Sequence, residues 1–205
     1  MIKLRLFYAF IFCFVVIVQS AWAGGDAAQG KLKVDSCQAC HGADGNSLIP
    51  SNPKLAGQGE KYLLKQLHDV QRGERVIGMM VGQLNHFNDQ DLADIAAFYA
   101  EQTQTQSFSE EKWVTLGREI YRNGNHQRGI PSCTGCHGPS GSGNAPAGFP
   151  MLAGQHAEYL AIQLRHFSVG NRNNDGGGKV MRDIAERMNE NEIQAVASYI
   201  AGLRP

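Results

Sequence analysis

The residues of this chain best suited to do chemistry are two short clusters, Cys37-Gln-Ala-Cys40-His41 and Cys133-Thr-Gly-Cys136-His137. Two thiols separated by two residues and followed at once by a histidine form a c-type haem attachment motif. The spacing lets the thiols add to the two vinyl groups of the porphyrin. The histidine then lies beneath the iron and offers it a nitrogen. Bonding of this kind keeps the group in place outside the cell. Other uses of paired cysteines fit less well. A structural zinc site wants its second pair about fifteen to twenty residues from the first, whereas Cys40 and Cys133 stand 93 positions apart. A thioredoxin-like motif wants a βαβ setting, which the pattern lacks. Two disulfides would suit an oxidising compartment, but they give no reason for the adjoining histidines.

The opposite face of each iron needs a ligand or an open position. Met80 and Met181 are the candidates, each seven residues before the next amphipathic segment, at Phe87 and Met188. A lone methionine is usually a core residue; matched placement after two haem motifs points instead to thioether ligation. Met79 is the rival of Met80. Met151 and Met188 align with Lys54 and Phe87 of the other copy and read as packing. His86 and His166 lack a matching histidine, and with His68, His126 and His156 they read as surface or locally hydrogen-bonded imidazoles. A thioether favours ferrous iron and raises its potential. With both axial positions filled, a small molecule finds no free coordination site. That favours electron transfer over oxygen or peroxide chemistry, so no catalytic residue and no small-molecule substrate are expected.

The elements that must position these groups are themselves duplicated. Pro53-Lys-Leu-Ala-Gly-Gln58 recurs as Pro150-Met-Leu-Ala-Gly-Gln155 at an offset of 97 positions. Tyr62, Gln66, Leu67, Gly73 and Arg75 recur at the same offset as Tyr159, Gln163, Leu164, Gly170 and Arg172. Beyond them the offset becomes 101, so four extra residues fall in the glycine-rich stretch 175–178. Leu63, Leu67 and Val70, like Leu160, Leu164 and Phe167, have the spacing of a helical stripe. A last helix starts at Asn88 or Asn189, with Asp91 or Glu192 in its first turn; the second of these approximates a capping box. Each copy reads as helix, haem-motif loop, helix, loop, helix. The fold class is all-α, with two tandem domains over 24–105 and 106–205 joined near a polar linker at 101–108. Pro53 and Pro150 serve either as carbonyl acceptors for the histidine above them or as plain loop breakers. Gly30 and Gly117 suit close packing of the first helix on the last, or simple flexibility.

Lys3 and Arg5, an apolar run from Leu6 to Val18 and Ala21-Trp22-Ala23 describe a secretory signal peptide over 1–23, cleaved after Ala23. The run is short of the roughly 20 residues a membrane-spanning helix needs. Cleavage removes Cys13. The whole chain carries 19 basic and 19 acidic side chains, and loss of Lys3 and Arg5 leaves a formal charge of −2. That weak charge argues against a nucleic-acid partner.

Together these features resemble the cytochrome c4 family, dihaem proteins made of two class I cytochrome c domains. The resemblance covers Gly24 to Pro205, and Gly170-Asn-Arg-Asn-Asn-Asp175 before Met181 is especially similar to that family's second domain. It implies two covalently attached haem c groups anchored by Cys37, Cys40, Cys133 and Cys136, with axial pairs His41/Met80 and His137/Met181. It implies a periplasmic electron carrier whose partners are a respiratory donor complex and a terminal oxidase, and it allows peripheral membrane association. The first copy departs from the pattern in its short segment Val76-Ile-Gly-Met-Met80, which keeps Met79 open. Two other readings are the cytochrome subunit of a redox enzyme, such as a flavocytochrome sulfide dehydrogenase, and a dihaem peroxidase.

Overall fold

A computed structural model describes residues 24–205; the expected leader at 1–23 lies outside the described residues. The first half contains α1 (Ala27–Lys31), α2 (Asp35–His41), α3 (Glu60–Gln71) and α4 (Asp89–Ala100). The second contains α5 (Glu111–Asn123), α6 (Thr134–His137), α7 (Ala157–Ser168), α8 (Val180–Ala185) and α9 (Glu190–Ala201). Among the described residues the only β pairing is two isolated bridges, Asn125 with Ile130 and Asn144 with Phe149. No described helix is long and apolar enough to cross a membrane.

Each half builds its own apolar core. Val34, Leu63, Ile95, Ala96, Phe98 and Tyr99 form the first; Ile120, Tyr121, Leu160, Ile193, Val196 and Ile200 are central to the second. The frame of each is its first helix crossed on its last, α1 on α4 and α5 on α9. Glycine makes those crossings possible. A Cβ on Gly30 would stand 2.0 Å from the Asp94 carbonyl oxygen, and one on Gly117 would stand 2.2 Å from that of Ala195. The last helices start where expected, and both have full capping boxes. Asn88 accepts from the Asp91 amide while Asp91 accepts from that of Asn88, and Asn189 and Glu192 do the same.

Two expectations need correction. The haem motifs are helical rather than looped: α2 ends on His41 and α6 on His137, each stopped by a glycine at positive φ, Gly42 and Gly138. The methionine segments also have local structure. Met80 ends a 3-10 turn (Gly78–Met80), and Met181 sits in the first turn of α8.

The linker carries no helix or strand, yet it is held at both ends. Asn46 donates to the Thr103 carbonyl at 2.9 Å and accepts from the Thr105 amide at 2.7 Å. The buried Lys54 ammonium donates to the Thr105 and Gly154 carbonyls and to the Ser107 hydroxyl. Desolvation, with a smaller push from Arg204, lowers the pKa of Lys54.

Candidate haem sites and the interface between them

The geometry starts at the histidines. His41 and His137 are each only 8% exposed. Nδ1 of His41 lies 3.0 Å from the Pro53 carbonyl oxygen, and Nδ1 of His137 lies 3.0 Å from that of Pro150. A carbonyl only accepts, so the ring proton sits on Nδ1 and the lone pair on Nε2 is available to a metal. Burial lowers the pKa of both rings, against the opposing pull of the proline carbonyls. They therefore stay neutral to lower pH than a free imidazole, the form a metal requires. The prolines are carbonyl acceptors, not merely loop breakers.

The other groups also fit covalently bound haem. No disulfide joins the four motif cysteines, which leaves every sulfur available for a thioether bond. Among the described residues no three His, Cys, Asp or Glu side chains gather into a metal site of the zinc kind. The Tyr99 hydroxyl is buried beside the Cys37 thiol, its one polar neighbour, and no well-formed hydrogen bond within the protein satisfies it. A buried polar atom left without a partner is rare and calls for a missing neighbour. Met80 is half-buried, whereas Met79 is 81% exposed. Met181 is half-buried on α8, and Met188 packs in the second core, as expected of a structural methionine. His156 is not a free surface group: its Nε2 lies 2.8 Å from the Ser47 carbonyl oxygen of the other half. The structure leaves His166 exposed.

The repeated Pro-x-Leu-Ala-Gly-Gln motif can now be taken apart atom by atom. Its proline carbonyl orients the histidine. The amides of its leucine and alanine, Leu55 and Ala56, donate to the Gly45 carbonyl, and those of Leu152 and Ala153 donate to that of Gly141. Gly57 and Gly154 both take φ +69°, a left-handed turn in which glycine is unstrained. That turn aims each glutamine at the opposite half. Gln58 donates to the Met151 carbonyl at 2.9 Å and accepts from the Met151 amide at 2.8 Å. Gln155 does the same with Lys54, at 2.8 and 2.9 Å.

Sequence reasoning found the repeated Tyr, Gln and Arg residues but gave them no role. They form a polar hub between the halves. Arg75 donates to Gln66 at 2.8 Å in its own half, and to Tyr159 and Gln163 across the interface, both at 3.0 Å. Arg172 mirrors it, donating to Gln163 at 2.9 Å, and across the interface to Tyr62 at 2.9 Å and Gln66 at 3.1 Å. Burial disfavours ionisation of Tyr62, but Arg172 and Arg75 outweigh it and hold the phenol below its ordinary pKa. The only trace of the hub in the sequence is the repeat itself; the structure adds that Gln66 and Asp69 on α3 are buried alongside the apolar Leu63.

A model of the cytochrome c family matches residues 27–102 and again 114–204. Cytochrome c4 of Pseudomonas aeruginosa is 52% identical over 183 residues, spanning 89% of this chain and 91% of that protein. The crystal structure of reduced recombinant cytochrome c4 from Pseudomonas stutzeri superposes with a TM-score of 0.87 at 47% identity, covering 88% of this chain and all of the other. A thiosulfate dehydrogenase electron acceptor of Stutzerimonas stutzeri is 36% identical, over 82% of this chain and 79% of its own length.

Proposed function

The chain belongs to the cytochrome c4 family, with two cytochrome c domains that each take one covalently bound haem c, and on that premise we propose that it is an exported, two-centre carrier of single electrons. The observation that carries this reading is the duplicated histidine geometry, two buried imidazoles each oriented by a proline carbonyl at 3.0 Å. Domain limits of 24–105 and 106–205, cleavage after Ala23 and a periplasmic site belong to the same reading. Cys37 and Cys40 anchor the first haem, and Cys133 and Cys136 the second. His41 and His137 supply the proximal nitrogens.

When bound, each haem supplies an Fe(III)/Fe(II) couple. The residues of the chain close off and tune that couple. Met80, more enclosed than Met79, and Met181 would each offer a thioether to the iron, and with no site left for a small molecule electron transfer is the chemistry available. The proline carbonyls hold each imidazole in one orientation and raise its donor strength. A respiratory donor and a terminal oxidase are the proposed partners. A second reading, as the acceptor for a thiosulfate-oxidising enzyme, is favoured by the likeness to the thiosulfate dehydrogenase acceptor. Rapid reduction by such an enzyme, and slow reduction by respiratory donors, would select it.

The test is spectroscopic. Oxidised haem with methionine ligation has a weak absorption band near ~695 nm, separating it from other ligand classes. Met80→Ala and Met181→Ala are each expected to remove about half of it, one centre's share. A full-strength band in either variant would contradict that ligand.

A further inference from the structure

The two methionine segments relate differently to the rest of the molecule. Among the described residues no hydrogen bond joins 76–87, which carries Met80, to the second half. The segment before Met181 does reach across. Asn174 donates through its amide to Gln66 at 2.9 Å and to Asp69 at 2.5 Å, both on α3 of the first domain. Its carbonyl accepts from the Lys65 ammonium at 2.9 Å. Lys65 also pairs with Asp69, so the acceptor that Asn174 meets is itself held in place.

The chain then passes directly to the start of α8. Asp175, next in sequence, accepts from the Arg182 amide at 3.0 Å and from Arg182 Nε at 2.7 Å. Arg182 follows Met181. One asparagine therefore ties the first domain to the helical turn that presents the second methionine. The equivalent positions explain the asymmetry. Ile77 stands where Asn174 would be in the first copy, and Ile162 and His166 stand where Lys65 and Asp69 would be in the second. The four added residues at 175–178 give the second segment the length to make this excursion.

We propose that Asn174 is a positioning residue for the second centre, latching the Met181 segment to α3 of the first domain so that methionine ligation there, and not at the first centre, depends on contact between the domains. This rests on Met181 being the second distal ligand. A methionine competes for iron with exogenous ligands, and a segment with fewer restraints loses that competition more easily.

The test is imidazole titration of the oxidised holoprotein, followed through the methionine band. The centres are separated by repeating it in Met80→Ala and Met181→Ala backgrounds, which leave one contributor each. In Asn174→Ala the apparent affinity of the second centre for imidazole is expected to rise about five- to tenfold, the scale of one net hydrogen bond. The first centre is expected to keep its affinity. Asp69→Ala, made in the other domain, should give the same selective effect, and Asp69→Asn, which keeps an acceptor oxygen, should largely restore the parent value. Equal loosening of both centres, or no change at the second in both alanine variants, would overturn the latch. The ligand assignment fails separately: Met181→Ala would then leave the band whole.

Discussion

A single methyl group at Gly117 is expected to cost the second domain about 3 kcal/mol or more. The new Cβ would meet the Ala195 carbonyl oxygen at 2.2 Å and the Tyr199 Cβ at 2.5 Å. Neither is the tip of a flexible side chain, so relief requires α5 to move off α9, opening the core around Ile120, Val196 and Ile200. With both domains unfolding in one transition, that loss corresponds to a fall in melting temperature of roughly 6–12 °C. Gly30→Ala should act likewise in the first domain, where the contact with the Asp94 carbonyl is 2.0 Å. Gly135→Ala is the control. Nothing lies within 4 Å of a Cβ there, and the first copy has Ala39 at that place. It should be neutral or slightly stabilising, as alanine is the better helix former. Scanning calorimetry of the three variants checks the set; an unshifted Gly117→Ala would mean the helices do not cross as described.

The second large effect is expected at the hub. Arg75→Ala removes three hydrogen bonds from buried or half-buried partners and leaves space for the lost guanidinium. Loss of about 2–4 kcal/mol is expected, since donors on charged groups contribute more than neutral ones and stranded acceptors add their own penalty. Arg172→Ala should cost a similar amount. The double variant should lose less than the sum, because both arginines serve Gln66 and Gln163. It should also uncouple the domains. Denaturant unfolding is expected to show one transition in the parent and two in the double variant. Strict additivity with a single shared transition would contradict the hub.

What the sequence makes legible follows from the range of each signal. The haem motifs are local, and their meaning lies in a five-residue spacing. Helices α3, α4, α7 and α9 run twelve residues each, long enough for a 3.6-residue period to emerge. The four-residue α6 is too short to show one, so its motif reads as a loop. Gln58, Tyr62 and Arg75 repeat in plain view at Gln155, Tyr159 and Arg172, but a polar side chain gives no hint of an acceptor lying many tens of residues away. Only the fold shows that the face of α3 bearing Gln66 and Asp69 is turned inward. Asn174 is harder still, since it precedes a glycine-rich insertion whose composition suggests nothing but a turn. His156 reads as a surface or locally hydrogen-bonded imidazole for the same reason: its acceptor, the Ser47 carbonyl, is 109 positions away. The core likewise exchanges bulk between helices, with Val34 and Tyr99 in one domain and Tyr121 and Ile200 in the other, a trade that aligning the motifs alone would miss.

The central claim is that each half of the molecule holds a porphyrin through its own pair of sulfurs. Intact mass measurement of the exported polypeptide under denaturing conditions tests it most directly. The account predicts the mass of the chain from Gly24 to Pro205 plus two haem groups, falling by one haem when Cys37 and Cys40 are both changed to serine and by the other when Cys133 and Cys136 are. A native polypeptide with no added haem mass, or with one haem that survives loss of either pair, would contradict it.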